Sequence, residues 1–112
     1  MQTRSELRQI AMTCLYQIDI LKQTHISYDA EEILKENLNV DNEFVKDLVY
    51  GVITGETEID EIANRYLKDW KINRLDKTGA AILRMAIYEL KYMETPPIVV
   101  INEAIELAKK YA

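Results

Sequence analysis

Apolar residues return at three- and four-residue steps along most of this chain, a spacing that favours helices over strands. In the opening stretch Leu7, Ile10, Ala11, Cys14, Leu15, Ile18 and Leu21 share one face of a helix expected over about 3–23. Arg4, Arg8, Gln9, Thr13 and Gln17 fall on the other side. Three glycines and two prolines in 112 residues are too few for a strand-and-turn architecture. That length suits one compact domain over 1–112, and the 48% hydrophobic content is enough for a packed core.

Five further helices are expected. Asp29 is placed to cap a short helix over about 30–38. Asp41 is placed to cap one whose apolar face is Phe44, Val45, Leu48, Val49 and Val52. Gly51 and Gly55 lie near its end, where a glycine costs about 1 kcal/mol relative to alanine and close backbone packing is the natural compensation. Thr57 with Asp60 resembles a capping pair opening the next helix, whose buried stripe would take Ile59, Ile62, Ala63, Tyr66, Leu67 and Trp70. After a polar, mostly basic link over Lys71–Asp76, the nearly all-apolar run from Ala80 to Leu90 reads as a central buried helix. Pro96 and Pro97 precede the last helix, over about 98–110, which is expected to bury Ile101, Ala104, Ile105 and Ala108. The fold class is all-α, with about six helices joined by short links.

The charge is −5 overall but unevenly spread. Residues 26–62 carry eleven acids against two bases, whereas 63–112 carry nine bases against six acids. An acidic middle repels a phosphate backbone, while the flanks tolerate one. Cys14 is the single cysteine, so an intrachain disulfide is excluded and its apolar neighbours point to core packing. No apolar run approaches the roughly 18 residues of a membrane span, and no signal peptide is recognisable, so a cytoplasmic protein is expected.

Catalytic chemistry lacks its ingredients. His25 is the only histidine, which leaves zinc sites and histidine-based triads without ligands or partners. Gly51 and Gly55 are not followed by the Lys-Ser/Thr of a phosphate loop. Glu56, Glu58, Asp60 and Glu61 read as helix-start acids favoured by the helix dipole. No enzyme, metal or cofactor is expected. Among the seven tyrosines, Tyr16 is the best candidate to stack on a single-stranded base, because it adjoins the buried Leu15 yet leans toward the arginine side.

Two stretches resemble the NusB family. The first is Arg8-Gln-Ile-Ala-Met-Thr-Cys-Leu-Tyr-Gln17. The second runs from Leu48-Val-Tyr-Gly-Val52 through Tyr66-Leu-Lys-Asp-Trp70, Arg74-Leu75 and Ile82-Leu-Arg-Met-Ala-Ile-Tyr-Glu-Leu90 to Pro97-x-Val-Val-Ile-Asn-Glu-Ala-Ile-Glu-Leu-Ala-Lys-Lys110. The resemblance implies two packed small helical bundles. It also implies an RNA-binding factor of transcription antitermination that binds boxA-like single-stranded RNA together with the ribosomal protein NusE and joins the RNA polymerase antitermination complex, notably on ribosomal RNA operons. Arg4, Arg8 and Tyr16 match positions of the family's RNA-contacting region. Arg4 and Arg8 are one helical turn apart, a spacing that reaches adjacent phosphates or a base edge; a solvated helix face is the alternative. Lys71, Arg74 and Lys77 are placed to extend the track. Arg84, in the most apolar helix, is expected to form a buried ion pair with Glu89 or Glu103, and Asn102 and Glu103 to cap or bridge the start of the last helix.

Relative to the family pattern, the sequence lacks a final C-terminal helix. Its absence is expected to expose apolar surface on the last two helices, which a homodimer would bury. Two other classes remain open. One is the RNA-docking module of a ribosomal RNA cytosine methyltransferase, against which the initial methionine and the end at Ala112 weigh. The other is an interaction domain without RNA binding.

Overall fold

The computed structural model describes residues 2–112. Among them are five α-helices: α1 (Arg4–Gln23), α2 (Ala30–Asn37), α3 (Glu43–Tyr66), α4 (Lys77–Tyr92) and α5 (Pro97–Tyr111), with a 3-10 turn over Ile72–Arg74 before α4. Local chemistry sets most boundaries. Thr3 and Glu6 form a reciprocal capping box at the start of α1. Asp29 accepts from the Glu31 amide at 3.0 Å to cap α2. Asn42 rather than Asp41 caps α3, through the Val45 amide at 3.0 Å. Asp76 caps α4 through the Gly79 amide, and Pro97 opens α5 at a position whose missing N–H costs nothing.

Five helices stand where six were expected, because the third and fourth are one. The apolar face of Phe44, Val45, Leu48, Val49 and Val52 runs on in phase to the buried Ile59 and Ala63, so burial carries the helix through Gly55 and Thr57. Asp60 therefore caps nothing. The acids expected at a helix start lie inside α3 and reach across to other helices, Glu56 to Lys22, Glu58 to Lys91 and Asp60 to Arg84.

α4 packs against both α3 and α5, α1 lies against α3 and α4, and α2 covers α1. α1, α3 and α4 thus pack mutually, with α2 and α5 added at the flanks. Their main core joins Ala11, Cys14, Val45, Leu48, Val49, Val52 and Ile59 to Ile82 and Met85, and a smaller cluster of Ala63, Ile72 and Ala80 sits beneath the 3-10 turn. Burial pushes the Cys14 thiol up to about 11, as suits a core position. Gly51 admits the ring of Tyr88, whose atoms come within 2.1–2.6 Å of where a Cβ would stand. Gly55 meets only Ile59, at an ordinary 3.6 Å.

The last helix departs from expectation in rotation. It buries Val100 and Leu107, with Ala104 and Ala108 half-buried, and leaves Ile98, Ile101 and Ile105 exposed. α5 rests mainly on α4, so it buries one narrow face, and the isoleucines lie outside that contact. Tyr66 and Trp70 were also assigned to a buried stripe and are exposed. α3 ends at Tyr66, and a left-handed Asp69 (φ 61°) turns the chain before helical phase reaches residue 70. Among the described residues no helix is long and apolar enough to cross a membrane.

Candidate nucleic-acid interface

The two arginines of the first helix have different fates. Arg8 is 4% exposed and Glu89, on α4, is 2% exposed. Arg8 Nε donates to Glu89 Oε1 at 3.0 Å and Nη2 donates to Oε2 at 2.5 Å, a two-pronged pair between α1 and α4. Glu103 of α5 stands 3.7 Å from Nη1 and also accepts from the Ser5 hydroxyl at 2.6 Å. Hydrogen bonding to Glu89 raises the Arg8 pKa further above its ordinary value. Burial works to raise the Glu89 carboxyl, but hydrogen bonds from Arg8 and Thr95 and the charges of Arg8 and Arg4 outweigh it, so the group is held below the usual carboxylate range.

Arg8 is therefore corrected from a candidate RNA contact to a clamp between helices. The stripe α1 buries is wider than the aliphatic pattern alone, because Met12 is buried as well. Arg8 lies three, four and seven residues before Ala11, Met12 and Leu15, on the flank of that stripe. The expectation that Arg84 would pair with Glu89 or Glu103 fails for the same reason. Those carboxylates serve Arg8, while Arg84 pairs with Asp60 at 2.8 Å and lies 3.8 Å from Glu56. Glu103 bridges to α1 instead of capping its own helix.

Arg4 is exposed, and its guanidinium lies 4.0 Å from the centre of the Phe44 ring. A cation over an aromatic face is oriented while its N–H groups remain available to solvent or an anion. Tyr16, about three turns further along the same helix, is 39% exposed. The three residues singled out in the sequence thus do not form one cluster. Arg4 and Tyr16 face solvent, and Arg8 is enclosed between them.

A second basic stretch follows α3. Arg65, Tyr66, Lys68, Trp70, Lys71 and Arg74 are all exposed, the tyrosine at 80% and the tryptophan at 55%. Beneath them Ile72 is buried and its amide donates to Asn64 Oδ1 at 2.8 Å, which ties the loop to α3. Lys77, at the start of α4, is engaged with Asp19 and Gln23 of α1. Lys71, Arg74 and Lys77 are the expected extension of the basic track; Arg65, Lys68 and the two rings are additional to it. The signal available was the alternation of bases and aromatics from 65 to 74.

The NusB family model matches residues 5–112. The chain is 44% identical to the transcription antitermination protein NusB of Staphylococcus carnosus (strain TM300), over 98% of this chain and 87% of the relative. It is 42% identical to the protein of that name from Bacillus cereus (strain B4264), over 96% of this chain and 83% of the relative. Among solved structures it resembles T. maritima NusB, with a TM-score of 0.84 and 32% identity over 99% of this chain and 80% of that one. It also resembles a chain from the crystal structure of antitermination factors NusB and NusE in complex with dsRNA, with a TM-score of 0.81 and 29% identity over 97% of this chain and 83% of that one.

Proposed function

The chain belongs to the NusB family, and from that premise we propose that it binds boxA-like single-stranded RNA jointly with the ribosomal protein NusE. It is an RNA-binding transcription antitermination factor and acts by binding rather than by catalysis. The joint complex would travel with RNA polymerase in the cytoplasm and favour read-through, notably on ribosomal RNA operons, the chain serving as one domain over 1–112.

The observation that carries the RNA-facing part of this reading is Arg4. It is an exposed guanidinium held over Phe44 at the first turn of α1, oriented before any ligand arrives. Tyr16 further along offers a ring for a base. Arg8 contributes by holding α1 against α4 and α5, not by touching RNA. The test is a fluorescent boxA RNA with NusE present. Binding tighter than that of a scrambled RNA is expected; equal binding of the two overturns the proposal.

Self-association is a further part of the reading. Ile98, Ile101 and Ile105 recur at helical spacing on one exposed side of α5, the apolar surface a second copy would bury. Light scattering at micromolar concentration is expected to give a dimer mass, and a cooperative monomer rejects it.

A further inference from the structure

Basic residues on this protein are mostly engaged. Arg8, Lys22, Lys46, Lys77, Arg84 and Lys91 each meet a carboxylate. The segment 65–74 differs. Arg65, Lys68, Lys71 and Arg74 form no ion pair among the described residues. Asp69 is the single acid between them, so ten residues carry a net charge of +3 on a chain of net charge −5. Interleaved with these cations are the exposed rings of Tyr66 and Trp70.

The loop is also held in place. Ile72 is buried in the small cluster with Ala63 and Ala80, and the bond from its amide to Asn64 fixes the backbone from below. The rings and cations therefore stand on an anchored base, so little ordering remains to oppose a ligand. Cations that follow a phosphate backbone, with aromatic faces on which bases stack, are what a single strand of nucleic acid requires. A duplex hides its base faces and offers nothing for Trp70 or Tyr66 to stack on.

We infer that residues 65–74 form a second contact surface for single-stranded RNA, with Trp70 and Tyr66 as stacking platforms and Arg65, Lys68, Lys71 and Arg74 as phosphate contacts. The inference rests on the RNA-binding reading above and extends it. Lys77, three residues beyond Arg74, lies 3.7 Å from Asp19, which stands three residues beyond Tyr16 on α1. This pair ties the start of α4, just beyond the loop, to α1.

Trp70 is the single tryptophan, so its emission reports on the segment directly. The full chain is titrated with a short unlabelled single-stranded RNA containing boxA. Saturable quenching is expected, and much less quenching with the same sequence annealed into a duplex. The variant Lys68→Gln/Lys71→Gln/Arg74→Gln is expected to lower the slope of log K against log salt by about 2, and Trp70→Ala to weaken binding roughly tenfold. All four positions are exposed, and unchanged melting curves confirm that the variants fold.

Suppose Arg4→Gln weakens RNA binding while the emission and the triple variant's slope stay at the parent values. The segment is then not an RNA surface, and the proposed function stands without it. Suppose instead that no RNA binds under any condition; both fall together. Retained RNA affinity with lost capture of the ribosomal-protein partner marks the loop as a protein-docking surface and also overturns the inference.

Discussion

The first turns of α1 and the loop after α3 are both basic, yet the fold treats them in opposite ways. At α1, Arg8 is enclosed by Glu89 and Glu103 and joins three helices. At the loop, Lys68, Lys71 and Arg74 point outward from a backbone anchored by Ile72. A positive residue can therefore be a scaffold or a contact, and a carboxylate within reach in the folded state separates the two.

Truncation tests this contrast most strongly. Arg8→Ala leaves Glu89 buried and unpaired, a change expected to cost about 3–5 kcal/mol in denaturant unfolding. Lys71→Ala and Arg74→Ala, on exposed positions, are expected to stay within about 0.5 kcal/mol of the parent. Equal losses at the two sites would break the distinction.

The same opposition of filled and open positions recurs at the glycines of α3. Gly51→Ala drives a methyl group into the Tyr88 ring and is expected to destabilise by about 1–3 kcal/mol. Gly55→Ala meets only ordinary contact and should stabilise by up to about 1 kcal/mol. Thermal melts of the two single variants check the sign of each.

Acid sharpens the comparison further. The folded state holds the Glu89 carboxyl below its ordinary value of 4.5. The stability this adds is present above that ordinary value and is lost as pH falls through the lower folded value. Stability measured between pH 6 and about 3 should fall less steeply in Glu89→Gln than in the parent. The smallest expected effect is on binding. Arg4→Gln should reduce the salt slope for RNA by about 1 with little change in melting, since Arg4 is an exposed cation.

Much of the fold was legible in the sequence. The caps Thr3 and Asp29 lie at or beside the expected starts, and the central apolar helix is α4. Gly55 and Thr57 carry the local chemistry of a break, but the long apolar phase from Phe44 to Ala63 overrides it. At the candidate site, Arg4 and Tyr16 were placed on exposed surface, while Arg8 was not distinguishable by spacing alone. Its burial depends on Glu89, 81 residues away, and one helix's periodicity contains nothing about a partner at that distance. Trp70 escapes the sequence pattern for a related reason: α3 stops at Tyr66 and the left-handed Asp69 turns the chain, so helical phase does not extend to residue 70.

The different roles of Arg4 and Arg8 can be watched residue by residue through the arginine Nε–H resonances during a titration with boxA RNA and NusE. The Arg8 signal should exchange slowly with solvent and stay in place as RNA is added, while the Arg4 signal moves. An Arg8 resonance that exchanges freely and shifts as far as that of Arg4 would contradict the assignment of one arginine to the scaffold and the other to the ligand.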